Sequence, residues 1–155
     1  MALHGKLEDE MEINMPAAKF YNIWKSEGHH VSTATPNRIH AVHVHEGDWG
    51  AADSVKIWKY TVGTYIDGTT GVFKEKLEFN DETKTVSLVG LEGDVMKEYK
   101  VYKPTYQCIP KGEGSSLLKM TLEYERASEN IPPPDKYMRF MVDLAKDIEE
   151  HHLKA

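Results

Sequence analysis

A chain of 155 residues with 19 Lys and Arg against 25 Asp and Glu carries a formal charge of −6, and it is long enough for one domain with a real core. The mild acidity excludes a nucleic-acid groove, which needs a basic stripe; the single cysteine, Cys108, excludes an internal disulfide and fits a reducing compartment. Residues 1–10 lack the apolar core of a secretory signal and no asparagine opens an Asn-x-Ser/Thr acceptor; no apolar run approaches the ~20 residues of a membrane span, so a cytoplasmic location is expected.

Lys6 to Asn14 alternates loosely and predicts a first strand. Asn14-Met15-Pro16 then reads as a helix start, with Asn as the cap and proline in the first turn. Ala17, Phe20, Ile23 and Trp24 recur at helical spacing, so one face of a helix over 16–25 is expected to be buried, and Glu27-Gly28 stops it. A second short helical turn is expected over 29–35, ahead of Pro36.

From Arg38 the period is two. Strands are predicted over 38–46 and 54–62, separated by the Glu46-Gly47-Asp48-Trp49-Gly50 loop; in the second, Val55, Ile57 and Lys59 alternate with Lys56, Trp58 and Tyr60. Gly63 and Asp67-Gly68 mark a turn into a strand over 70–79, with Phe73, Leu77 and Phe79 on one face and Lys74, Lys76 and Glu78 on the other. Asn80 to Thr83 is turn chemistry, and a strand over 84–90 runs to a second glycine segment, Leu91 to Met96. A long aromatic strand is expected over 96–109. After the Pro110 to Gly114 turn, Leu118, Met120, Leu122 and Tyr124 alternate cleanly with polar residues in a half-buried strand over 115–126.

The last segment, 135–153, is entered through Pro132-Pro133-Pro134 and gathers Tyr137, Met138, Met141, Val142, Leu144, Ala145 and Ile148 on one broad face. Strand, two short helices, about six strands and one long helix predict an α+β fold built on an antiparallel meander. A curved sheet closed by one long helix is a container as much as a core.

Several segments, in order and at their spacing, carry a family resemblance. They are Gly5-Lys6-Leu7, Glu46 to Gly50 with Ser54-Val55-Lys56, Asp81 to Lys84, Glu92 to Lys100, and Tyr124-Glu125-Arg126. Over essentially its whole length the chain resembles the plant major latex proteins, within the helix-grip superfamily of the birch pollen allergen and the pathogenesis-related class-ten proteins. The resemblance implies a seven-stranded curved antiparallel sheet, a V of two short helices and a long C-terminal helix over a hydrophobic cavity. It also implies a carrier of small hydrophobic or amphipathic plant metabolites (hormone-, flavonoid-, steroid- or lipid-like) with a role in defence or stress response.

Other chemistries are weighed against this. The Gly47/Gly50 loop invites a phosphate, but its glycines precede a strand, and Glu46, Asp48 and Asp53 repel an anion, so it reads as a structural turn. His43 and His45 share a strand face and offer two metal ligands, yet no spacing demands a third; with His29, His30, His151 and His152 they read as surface or rim residues, and no metal or cofactor is expected.

Some superfamily members condense or isomerise alkaloid precursors with a cavity lysine, tyrosine and carboxylates. If Tyr99 and Val101 face inward, Lys103 shares their parity and enters the cavity, where desolvation makes an amine nucleophilic. That is the alternative reading; a lysine whose stem packs while its head reaches the rim is the plainer one. For the ribonuclease activity credited to the superfamily, Lys56 and Glu149 match, but Lys97 and His151 replace the expected acid and tyrosine. The Ser-Gly-Leu-Pro-Ala gate and His-Arg-Leu latch of the abscisic-acid receptors do not occur in this sequence.

The expected reading is therefore a non-enzymatic binding protein, monomeric or weakly dimeric, whose partner is a small hydrophobic ligand. Phe73, Val86, Leu88, Tyr99, Val101, Leu118, Met120, Leu122 and Tyr124 are the expected strand walls, with Lys103 beside them. Tyr137, Met138, Met141, Val142 and Ala145 close the space from the helix. The methionines offer an adaptable lining. Tyr60, Tyr65, Tyr99, Tyr102, Tyr106, Tyr124 and Tyr137 serve either as packing or as flat walls with a polar tip.

Overall fold

The computed structural model describes residues 2–63 and 68–155. Tyr65 and the Asp67 side of the expected turn lie outside the described residues. In chain order the elements are β1 (His4–Ile13), α1 (Ala17–Ser26), α2 (His29–Ala34), β2 (Ile39–Glu46), β3 (Val55–Val62), β4 (Thr69–Asn80) and β5 (Thr85–Gly93). A 3₁₀ turn over Asp94–Lys97, β6 (Tyr99–Pro110), β7 (Ser116–Arg126) and α3 (Asp135–Lys154) complete the chain. The strands form one seven-stranded antiparallel sheet in the order β1-β7-β6-β5-β4-β3-β2. The α+β helix-grip arrangement expected from the sequence is the one observed.

Two local starts differ from expectation. Helix α1 is capped by Pro16 instead of Asn14: the proline sits in extended backbone, and its carbonyl accepts from the Lys19 and Phe20 amides at 3.1 and 3.2 Å. The Asn14 amide instead donates to Glu149 on α3. The strand expected from Met96 begins only at Tyr99, because 94–97 form the 3₁₀ turn that follows Gly93, which at φ +124° turns the chain where no β-carbon fits. A β-carbon there would lie 2.1 Å from the Val72 carbonyl oxygen.

The α1 face of Ala17, Phe20, Tyr21, Ile23 and Trp24 is buried. The Glu46–Gly50 loop is structural, with Gly47 at φ +78° and Gly50 against the Ser26 side chain. Helix α3 packs on β1, β7 and β3 and touches α2. Asp147 anchors it to the α2–β2 corner, accepting from Thr35 Oγ1 at 2.7 Å and from Arg38.

Beneath α3, Leu118, Met120 and Leu122 of β7 are almost completely buried, as are Ala145 and Ile148 of the helix. Here sheet and helix meet in solid packing. Toward β3–β6 the two diverge, and the interior is not filled.

Candidate ligand-binding site

The space between the sheet and α3 is a cavity of about 70 Å³, counted as room for the centre of a water-sized sphere. A single buried water needs only about 10–15 Å³ on that measure. The walls come from every layer. Trp58 and Tyr60 of β3, Phe73 of β4, and Val86 and Leu88 of β5 form one side, with Tyr102, Pro104 and Tyr106 of β6 next to them. Trp24 of α1, Ile39 of β2 and Val95 of the 3₁₀ turn close the ends, and Tyr137, Phe140, Met141 and Leu144 of α3 form the roof.

The rings brace one another at edge-on or tilted angles: Trp24 on Trp58 at 5.8 Å between centroids, Trp24 on Tyr106 at 5.1 Å, Phe73 on Tyr102 at 5.4 Å and Tyr102 on Tyr137 at 5.5 Å. Gly90 makes room for this wall, since a β-carbon there would lie 2.7 Å from Met96 Sδ and 2.8 Å from the Tyr102 carbonyl.

The tyrosine hydroxyls stay protonated. Burial is the main cause in each case, pushing Tyr99 up to about 12 and Tyr102, Tyr106 and Tyr137 well above the ordinary phenol value. They act as hydrogen-bond donors. Tyr106 donates across the cavity to the Met141 carbonyl, and Tyr99 donates to the Pro132 carbonyl at 2.7 Å.

A charged pair lies in the packed interior next to this wall, off the cavity lining. Lys56 and Glu75 face each other across β3 and β4, one inward rung beyond Trp58 and Phe73, and both are fully buried. Lys56 Nζ is 3.5 Å from Glu75 Oε1 and 3.4 Å from Ser54 Oγ, and Trp58 Nε1 donates to Glu75 Oε1 at 3.0 Å. Burial raises the Glu75 carboxyl above its ordinary range, against the pull of Lys56 and Trp58. Among the described residues, Glu75 Oε2 and Trp24 Nε1 are buried without a hydrogen-bond partner.

The model of the pathogenesis-related protein Bet v 1 family matches residues 2–155. The chain belongs to that family. MLP-like protein 43 of Arabidopsis thaliana is 44% identical over 98% of this chain and 95% of its own length. The crystal structure of ginseng major latex-like protein 151 from Panax ginseng superposes with a TM-score of 0.91 at 31% identity, covering 98% of this chain and 99% of that one. Norcoclaurine synthase from Thalictrum flavum, solved with dopamine and hydroxybenzaldehyde, shares the fold at a TM-score of 0.75 and 18% identity, over 97% of this chain and 87% of that one.

In this Bet v 1 family member, Phe73, Val86, Leu88, Tyr137 and Met141 lie on the cavity wall as the sequence suggested. Tyr99, Leu118, Met120, Leu122, Tyr124, Met138 and Ala145 are buried but sit in packed regions off the wall, and Val142 is half-buried. Val101 and Lys103 need correction: they do not share the inward face of Tyr99. The β6–β7 register slips between Tyr99 and Val101, so one extra residue flips the parity and turns Tyr102 inward. Val101 is then 36% exposed, and Lys103 pairs with Glu78 at 3.1 Å on the outer face.

The sequence reading left Trp24, Ile39, Trp58, Val95, Pro104, Phe140 and Leu144 out of the expected wall, and left Tyr60, Tyr102 and Tyr106 undecided. For Trp58 and Tyr60 a signal existed: Trp58, Tyr60 and Val62 form the apolar parity of β3. His43 and His45 lie on the exposed side of β2. No helix among the described residues is long and apolar enough to cross a membrane.

Proposed function

We propose that this protein binds, and so carries or stores, small hydrophobic or amphipathic plant metabolites in the cavity between sheet and α3, as a cytoplasmic, non-enzymatic component of a defence or stress response. The observation that supports this reading is the wall itself: aromatic and aliphatic side chains from eight elements line one concave space, the usual character of a small-molecule site. Burying roughly 300 Å² of apolar ligand surface contributes about 7 kcal/mol gross at ~25 cal/mol/Å². Association entropy and side-chain ordering offset several of these, so dissociation constants of about micromolar order are expected.

The alternative, a cavity enzyme acting on alkaloid-type precursors, rested on Lys103, and that lysine is bonded to Glu78 outside the cavity. Ligand access requires the C-terminal end of α3 or the loops beside it to move, which makes those segments the mobile ones in this reading.

The test is native mass spectrometry of the folded protein after incubation with a plant metabolite extract, beside a heat-unfolded control. A discrete added mass that disappears on unfolding is the expected result. An altered extract with no adduct would favour the enzyme, and neither change would leave an interaction protein without a small-molecule cargo.

A further inference from the structure

Two spaces lie along one stripe of α3. Phe140, Leu144, Asp147 and His151 follow one another at the i, i+4, i+7 and i+11 spacing that keeps side chains on one face of a helix. The first two belong to the cavity roof. The other two line a polar surface groove of about 250 Å³, by the measure used for the cavity, whose opposite bank is the α2–β2 corner with Thr35, Asn37 and Arg38. The corner repeats the change from apolar to polar. Ile39 lines the cavity, and its neighbour Arg38 lines the groove. The two spaces therefore adjoin between Ile39 and Leu144.

Polar contacts close that boundary. Arg38 bonds to Asp147 and lies 3.9 Å from Asp143, one turn earlier on the helix, while Thr35 Oγ1 donates to the same Asp147 carboxylate. One guanidinium thus bridges two carboxylates of α3. The other side of the helix is held differently: Ala145 and Ile148 are buried in packing, and Glu149 accepts from the Asn14 amide. Close apolar packing is hard to part. The Arg38, Asp143 and Asp147 side chains are 34, 35 and 27% exposed, so water replaces much of what they lose on separating.

We infer that the Thr35–Arg38–Asp147 contact is a latch, and that the polar groove is the vestibule through which cargo enters the cavity. Helix α3 pivots on its packed β1–β7 side, the latch parts, and a gap opens between Ile39 and Leu144. This rests on the container reading above and adds to it a route and the bond that controls passage. The route lies at the free edge of the sheet, since β2 is its last strand, so no strand pairing has to break.

N-Phenyl-1-naphthylamine, a neutral probe whose fluorescence rises when it leaves water for an apolar site, tests the latch. Association is followed by stopped-flow mixing and release by rapid dilution. In Arg38→Met both rates are expected to quicken about ten-fold with the dissociation constant unchanged, because the latch is closed in the free and the loaded protein alike and only passage between them becomes easier. Raising NaCl from about 20 to about 500 mM screens the pairs and quickens release from the parent several-fold, while release from Arg38→Met stays as it was. Salting-out of an apolar probe acts the other way and slows release. Lys103→Ala, which removes an exposed pair on the outer face, leaves both rates unchanged. Should Arg38→Met fail to fold, the salt dependence of the parent decides alone. Rates that ignore both the substitution and the salt, with the probe bound, overturn the latch and leave the container reading standing. A dissociation constant that changes while one rate stays fixed also overturns it, since Arg38 then acts on the bound state and not on passage. A protein that does not bind the probe overturns both.

Discussion

The two sides of the interior do opposite work. Under α3, the inward residues of β7 (Leu118, Met120 and Leu122) are at most 1% exposed and fill their space. Toward β3 and β4 the same sheet borders a cavity and carries Trp58 and a buried ion pair with an unbonded carboxylate oxygen. Close packing contributes stability; unfilled space and unmet polar groups cost it. Stability therefore concentrates on the β1–β7 side, and the proposed recognition on the β3–β6 side.

The largest expected effect tests the buried charged pair. Lys56→Met leaves Glu75 buried without its cation and is expected to cost about 3–5 kcal/mol in denaturant unfolding, whereas Lys56→Met/Glu75→Leu returns to within about 1 kcal/mol of the parent. A single variant that loses almost nothing would show the pair to be solvated, and the contrast between the two sides would collapse. Acidity sharpens the same point. Burial holds the folded Glu75 carboxyl above its ordinary 4.5, so as pH falls the native state takes up this proton before the unfolded chain does. The native state then binds more protons than the unfolded state, and the stability of the parent relative to Glu75→Gln rises as pH drops from neutral toward 4.5. A carboxylate stabilised mainly by its lysine would give the reverse slope.

The next effect compares like with like. Leu122→Ala removes a side chain with no solvent exposure and no neighbouring space, and about 3 kcal/mol of stability is expected to go with it. Leu88→Ala trims the partly buried cavity wall, where part of the apolar contact is already missing, and about 1 kcal/mol is expected. Ligand affinity follows the opposite order, with Leu88→Ala the more damaging. Equal costs would mean that the wall is as tightly packed as the core.

The difference between the sides also explains what the sequence disclosed. On β7 a strict period of two, apolar against charged, assigns both strand and face, and those residues are buried in the structure. That pattern is the clearest in the chain and concerns stability, so residues read from it as cavity wall are core instead. On β3 and β4 the inward parity contains Lys56 and Glu75, two residues whose charge alone assigns them to solvent; their mutual pairing and the bond from Trp58 accompany their burial. On β6 the face changes within the strand, because a bulge at Tyr99–Val101 is set by backbone pairing with β7 and leaves no mark in composition. The helices and strands were legible because they depend on local periodicity. The wall depends on where the sheet and α3 part, which is a property of tertiary geometry.

The smallest effect bears on the residue that parity placed in the cavity. Lys103 reaches from β6 to Glu78 of β4 on the outer face, 3.1 Å apart, with side chains 34% and 46% exposed. An exposed pair of this kind contributes about 0–1 kcal/mol and less in salt. Lys103→Ala is therefore expected to shift the unfolding midpoint marginally and to leave the affinity for a cavity ligand found by native mass spectrometry unchanged. A loss of affinity at constant stability would mean that the bulge relaxes when ligand binds, bringing Val101 and Lys103 back into register with Tyr99 and extending the recognition side of the molecule around the edge of β6. The amide signals of Tyr99 to Tyr102 in the ligand-bound protein separate these cases, since a change of register exchanges which of them are bonded to β7.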